Sequence, residues 1–308
     1  MHRETHTDFD SFVASVATFH DRFLATDKGE WRWSLEGFAV DKCYMQRSFS
    51  HAGIIAEGCA PLDGYGFYVP WTGDHWTMHG IQHSLDDLYI VEPGSEVYTS
   101  CRPGDGWNCF FVPRQIVDER CELDRDPLAY SYVLQGGQRQ RANVLRSTIE
   151  KMVQAINQVP SIEFSPAMKV LQEDMLSLML PLLELEQSPR ESREARQMSR
   201  REVIWRAQEI LERHKNQVIH VNELARLVGV CDRSLQVAFQ EFYNMSPKAY
   251  LLLRQLHQVR HDLRWSNSQE TTVAQILTRW GIWEFGRFAG RYKRHFGELP
   301  SQTLSRSR

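Results

Sequence analysis

The stretch Thr272–Ser301, TVAQILTRWGIWEFGRFAGRYKRHFGELPS, decides how the C-terminal third of the chain folds. Thr272 with Gln275 three residues on reads as a capping box opening a helix that carries Val273 and Ile276. Gly281 supplies a tight turn. A second helix follows, with Phe288, Tyr292 and Phe296 at four-residue steps, so it buries one aromatic stripe. Five of the twelve residues from Gly286 to Gly297 are basic, counting His295. Gly286 and Gly290 interrupt that basic helix, each at about 1 kcal/mol of helix propensity.

The same pattern occurs once before. Val221-x-x-Leu224…Val228-Gly229-Val230 overlays Val273-x-x-Ile276…Trp280-Gly281-Ile282 at an offset of 52. One extra residue later, Leu235, Phe239, Tyr243 and Pro247 fall on Phe288, Tyr292, Phe296 and Pro300 at an offset of 53. Each copy is a helix, a tight turn at Gly229 or Gly281, and a second helix with a single apolar stripe. That is the pattern of a helix-turn-helix, whose second helix enters the DNA major groove. A single match is weak, because many helical hairpins look alike. Two copies joined by one helix, from Pro247 to about Leu263, are far more specific.

Residues 200–305 resemble the AraC/XylS family of transcription regulators. The resemblance is carried by Glu223-Leu-Ala, Gly229-Val, Leu235-Gln and Phe239, then by Ser246-Pro-x-x-Tyr250-Leu, Arg254-Gln-Leu256 and Arg260. The second unit adds Trp280-Gly-Ile-Trp283, Gly286-Arg-Phe-Ala289, Tyr292 and Phe296-Gly-Glu-Leu-Pro300-Ser. The last run is similar to the branch that includes the ethanolamine-utilisation regulator. The resemblance implies a sequence-specific regulator, an activator in much of the family, that binds double-stranded DNA, meets RNA polymerase and forms a homodimer. It implies no enzyme and no cofactor. Two positions depart from the family pattern. Cys231 stands where Ser or Thr usually caps the first recognition helix, and Val237 where a long polar side chain often reads bases.

With Leu235, Phe239 and Phe242 as the buried stripe of the first recognition helix, Arg233, Gln236, Val237 and Gln240 face the bases. Arg suits guanine, Gln adenine, and Val a thymine methyl. In the second unit the expected base-facing residues are Glu284, Phe285, Gly286, Arg287 and Gly290. Lys248, Arg254, Arg291, Lys293 and Arg294 are the expected phosphate contacts.

Charge divides the chain in the same way. Residues 1–189 hold 15 Lys and Arg against 27 Asp and Glu, a net of −12; residues 190–308 hold 21 against 12, a net of +9. A basic third on an acidic body points to a polyanion partner for that third alone. No apolar run approaches the ~18 residues of a membrane helix. The polar, acidic start MHRETHTDFD lacks the features of a secretory signal, so a cytoplasmic protein with no membrane partner is expected. Six scattered cysteines without a CxxC pair suit reduced thiols. No GxSxG, P-loop or HExxH motif is present.

The expected fold class is α+β. Residues 1–130 form a β-rich effector-binding domain, a cupin-like barrel or sandwich. Residues 131–187 form a helical connector, and residues 200–308 an all-α DNA-binding domain with two helix-turn-helix units. Residues 8–28 read as an amphipathic helix through Phe9, Phe12, Val13, Val16, Phe19 and Phe23. Strands are expected at Gly53–Glu57, Tyr65–Trp71, Asp87–Glu92, Glu96–Cys101 and Trp107–Pro113. This half resembles the cupin-like sensor barrels of some bacterial regulators. Helices are expected over residues 138–157 and from Ser165-Pro166 onward. Their wide apolar faces suit either packing on the barrel or dimerisation. The charged stretch around Ser188-Pro189 suits a domain boundary.

Trp33, Tyr65, Tyr68, Trp71, Trp76 and Trp107 are candidates for a small-molecule effector pocket. The acidic balance favours a cationic or neutral effector, such as an amine held by cation–π contact. His75, His79 and His83, beside Asp74, share a face at four-residue spacing. On a strand they lie about 13 Å apart, too far for one ion to bridge, so no metal site is expected. A metal-dependent cupin-type enzyme fused to a DNA-binding module, or an effector-independent DNA-binding dimer, are the competing readings.

Overall fold

The computed structural model describes residues 2–16, 22–27, 31–73, 75–123, 132–134, 139–159, 166–183, 193–215 and 217–306. The chain divides into two compact units, one of residues 1–25 and 31–189, the other of residues 26–30 and 190–308.

The first unit opens with strand β1 (His2–His6) and helix α1 (Phe9–Ser15), whose N-cap Asp8 accepts the amide of Ser11 at 3.0 Å. Nine strands follow: β2 (Arg22–Ala25), β3 (Trp33–Val40), β4 (Cys43–Ser50), β5 (Ile54–Cys59), β6 (Gly64–Thr72), β7 (Thr77–Met78), β8 (Ile81–Gln82), β9 (Leu88–Val91) and β10 (Glu96–Cys101). Then come β11 (Gly106–Pro113), the short helix α2 (Arg114–Asp118), β12 (Tyr132–Leu134) and two long helices, α3 (Arg139–Gln158) and α4 (Ala167–Leu183). The strands form two antiparallel sheets, of order β1-β3-β4-β11-β6-β9-β12 and β2-β5-β10-β7-β8.

The seven-stranded sheet is buried on both faces, and the register shows how the residues are divided. Phe38, Met45, Phe110 and Phe67 stand in one cross-strand row, on the face covered by α3 and α4. There they meet Leu145, Ile149 and Met152 of α3 and Met175, Leu176 and Met179 of α4. The apolar faces of both helices are therefore spent on the sheet. Arg47 crosses to Glu150 of α3 at 2.9 Å and stacks its guanidinium 4.0 Å from the Trp71 ring centre. The opposite row, Leu35, Ser48 and Trp107, then Gly37, Gln46, Cys109, Tyr68 and Tyr89, faces the second sheet.

Helix α1 stops at Ser15, eight residues short of Phe23, so the amphipathic helix expected over residues 8–28 is a correction. Phe23 instead lies on β2 and meets Phe12 edge-on at 6.3 Å, because β2 pairs with β5. Strand pairing outweighs a helical spacing that stays local. Phe19, Asp74, Ser165, Ser188 and Pro189 lie outside the described residues.

The second unit is helical: α5 (Arg193–Arg213), α6 (Val221–Val228), α7 (Asp232–Tyr243), α8 (Pro247–Trp265), α9 (Val273–Arg279), α10 (Phe285–Phe296) and α11 (Pro300–Ser305). The sequence repeat is a structural one. Gly229 closes α6 at φ 84°, and the amide of Val230 returns to Ala225 O at 3.0 Å. Gly281 follows α9 at φ 63°, and the amide of Ile282 returns to Leu277 O at 2.9 Å. Both closures span five residues and stand 52 positions apart, and each needs the left-handed conformation that glycine adopts without strain. Ser246 caps α8 through the amide of Ala249, with Pro247 at its first position.

Around α7 the core is Leu235, Phe239, Phe242 and Tyr243. The buried Gln208 amide donates to both Tyr243 Oη and Tyr250 Oη at 2.9 Å, tying α5 to α7 and α8. Gln208→Leu leaves both phenols without that partner, and a loss of roughly 1–3 kcal/mol is expected for such a buried group. Urea unfolding monitored by circular dichroism measures it.

Candidate nucleic-acid interface

Helix α7 is exposed where DNA reading was expected. Arg233, Gln236, Val237 and Gln240 are all exposed, while Leu235, Ala238, Phe239 and Phe242 are buried. At about 100° per residue the four exposed positions share an arc of about 100°, opposite the buried stripe. Cys231 stands at the N-cap with no side-chain bond to the helix amides. Its Sγ lies 3.2 Å from Ser234 Oγ, and that hydroxyl holds the exposed thiol below its ordinary range. Arg233, Ser234 and Val237 also line an open cleft of about 490 Å³ with Arg200, Val203 and Arg206 of α5. Arg200 pairs with Glu241, and Arg206 with Glu202 at 2.5 Å. The place of α5 beside α7 escaped sequence reasoning, because only the arginine content of residues 193–213 hints at it.

Helix α10 divides in the same way. Phe288, Tyr292, His295 and Phe296 are buried. The Tyr292 hydroxyl lies 2.8 Å from Thr303 Oγ1, and burial pushes that phenol up to about 12. Gly286 and Gly290 occupy the centre of the opposite face, with Arg287, Lys293 and Arg294 beside them, all exposed. A Cβ built on either glycine meets nothing within 4 Å, and neither has a left-handed backbone. Neither glycine is therefore required by the fold. Glu284 and Arg287, both exposed, pair at 3.1 Å. Arg291 is half-buried at the edge of the face; Phe285, 39% exposed at the first position of the helix, stands seven residues before Tyr292 on the side of the buried stripe. Thr272 forms the expected capping box with Gln275. Lys248 is exposed at the start of α8.

Arg254 is a correction. It is 3% exposed and donates to Leu211 O at 2.9 Å and to Glu212 Oε1 at 2.8 Å. Sitting four residues after Tyr250 on the inner face of α8, it ties down the end of α5 and cannot reach a phosphate. Arg260 is likewise internal, bound to Glu298 at 3.0 Å over the Phe296 ring.

In the first unit the six effector-pocket candidates do not share one place. Tyr68, Trp76 and Trp107 cluster, with Trp76 stacked 6.2 Å from Trp107 and 4.6 Å from Tyr89. Trp33 is packed instead against Phe12 at 5.1 Å and Phe9. Tyr65 belongs to the core under α3 and α4, and Trp71 to Phe49 and Arg47. Strand register separates them: Tyr65 and Tyr68 point to opposite faces of β6. The histidines also part. His79 and Gly80 make the β7–β8 turn at φ 52° and 76°, His83 is buried 3.6 Å from Asp87, and His75 is exposed. Burial holds the His83 imidazole below its ordinary range. Among the described residues no three His, Cys, Asp or Glu side chains are grouped to hold a metal. No helix among them is long and apolar enough to cross a membrane.

A family profile described as a helix-turn-helix domain matches residues 224–306. The C-terminal unit carries a helix-turn-helix domain. Over 102 residues the chain is 39% identical to the probable thc operon regulatory protein of Rhodococcus erythropolis, covering 33% of this chain and 31% of that protein. It is 35% identical over 101 residues to XylDLEGF operon transcriptional activator 3 of Pseudomonas putida, covering 33% and 30%. The chain thus spans under a third of the length of these relatives. Among solved structures it is similar to the AraC-like transcriptional activator CuxR, at 13% identity and a TM-score of 0.42, over 85% of this chain and 96% of that one.

Two measurements test the helix-turn-helix domain. Arg254→Ala should lower Tm while leaving the slope of log affinity against log salt unchanged; Arg291→Ala should reduce that slope by about one. Iodoacetamide should modify Cys231 ahead of Cys43 and Cys109, whose burial pushes both thiols up to about 12.

Proposed function

We propose that the protein is a sequence-specific, DNA-binding transcription regulator with a small-molecule sensor in its first unit. Arg233, Gln236, Val237 and Gln240 on α7, and Glu284, Phe285, Gly286, Arg287 and Gly290 on α10, face bases. Lys248, Arg291, Lys293 and Arg294 hold phosphates. The observation that carries this reading is the glycine pair on α10. Both glycines lie on the exposed face, neither fills a tight space, and each weakens the helix. Close approach of the α10 backbone to a groove accounts for them, with adjacent cations meeting phosphate.

The relatives named as operon regulators and activators support a regulatory role, and activation is the form proposed. Dimerisation, contact with RNA polymerase and a cytoplasmic location belong to this reading. So does the finer likeness to the ethanolamine-utilisation regulator branch, which rests on the Trp280–Ser301 run. The first unit is assigned sensing rather than catalysis. Trp33 Nε1, Ser48 Oγ and Tyr89 Oη are buried with no hydrogen-bond partner among the described residues. All three lie on the sheet face turned from α3 and α4; Ser48 and Tyr89 are near the Trp76 and Trp107 rings, which suits a small polar molecule there, while Trp33 stands apart against Phe12. A thermal-shift screen should show a rise in Tm with a small amine or neutral effector.

Mobility-shift titration tests the DNA reading. Gly290→Ala should raise stability by about 1 kcal/mol. Gly290→Leu should keep the helical circular dichroism and abolish DNA binding. Unimpaired binding by Gly290→Leu would remove the assignment. Arg233→Ala should relax base preference and cost about 1–3 kcal/mol on the preferred sequence.

A further inference from the structure

We infer that the second helix-turn-helix unit recognises thymine 5-methyl groups through Trp283 and Phe285, an inference that rests on the DNA-binding reading above. Trp283 is 74% exposed and stands two residues before α10, and Phe285 is 39% exposed at its first position. The other tryptophan of this turn, Trp280, is buried and donates its indole to Asp262 at 2.8 Å. Packing therefore explains Trp280 and leaves Trp283 unexplained.

The rest of α10 indicates what those rings meet. Its exposed face carries Gly286 and Gly290, so a little over one turn of the helix offers only Arg287 as a long side chain toward a base edge. Of the two polar groups at its start, Glu284 and Arg287, each is paired with the other. Hydrogen-bonded readout of the kind α7 offers is thus scarce here. Thymine is the base that presents a methyl group in the major groove, and apolar side chains read it. The occupant is set by charge. Arg291, Lys293 and Arg294 follow on the same helix and form no ion pair among the described residues, so cations await phosphate beside the rings.

The test uses the full-length protein and a duplex recovered from a random-sequence library by repeated selection on it. Each thymine is replaced singly by deoxyuridine, which removes only the methyl group. At one or two positions affinity should fall about fourfold, the factor for one buried methyl group. In Trp283→Ala or Phe285→Ala protein the same replacement should cost nothing, while the salt slope stays at the wild-type value and so reports that α10 still docks. Trp265→Ala, which removes an 81% exposed indole elsewhere, should keep the deoxyuridine penalty. If no deoxyuridine position is sensitive, or both variants keep the penalty, the inference is overturned while DNA binding stands. If the library yields no enriched sequence, the DNA-binding reading itself falls.

Discussion

The left-handed closure after each short helix governs the whole basic unit. At Gly229 and Gly281 the chain reverses direction within one residue, and the following amide returns to a carbonyl five residues back. That closure sets the angle at which α7 leaves α6 and α10 leaves α9. With the angle set, one stripe of each second helix must be buried, and the opposite stripe must face outward. At Gly281 an added Cβ would also press on Val218 Cγ2 at 3.2 Å, so the turn is constrained by packing as well as by φ.

The two outward stripes are chemically unlike. Helix α7 offers Arg, Gln, Val and Gln in one arc. Helix α10 offers glycine at its centre and cations toward its end, with the exposed Trp283 in the turn just before it. A helix that only had to be stable would not place glycine where space is open. The pair is best understood through what approaches the helix from outside. The same argument covers Trp283, whose indole is 74% exposed.

In the first unit the governing constraint is the doubly buried sheet. One face takes α3 and α4, and the other faces the second sheet. Polar groups on the inner row, such as Ser48 and Tyr89, are then separated from water by design of the register alone. They are the groups a bound molecule would satisfy, and they lie near the Tyr68, Trp76 and Trp107 cluster rather than near Tyr65 or Trp71.

The residues that could be read directly are those whose partners are local. Helix periodicity, caps and left-handed glycines act over five residues or fewer. For that reason the repeat, the buried stripes of α7 and α10, the capping box at Thr272 and the poor cap at Cys231 all stood in the sequence. Strands β5, β6, β9, β10 and β11 were legible from β-branched and aromatic runs bounded by turns. Long-range partners decided the remainder. Arg254 looked like a phosphate contact until Leu211, 43 residues away, claimed it. Phe23 left a helical pattern because β5 paired with its strand. The aromatics of the first unit separated because residues of opposite parity on β6 face different layers. The wide faces of α3 and α4 were open to either barrel or dimer until the sheet covered them. Local sequence determines which face of an element is apolar; only the tertiary structure decides what that face meets, because the partner is brought there by chain folding and not by spacing.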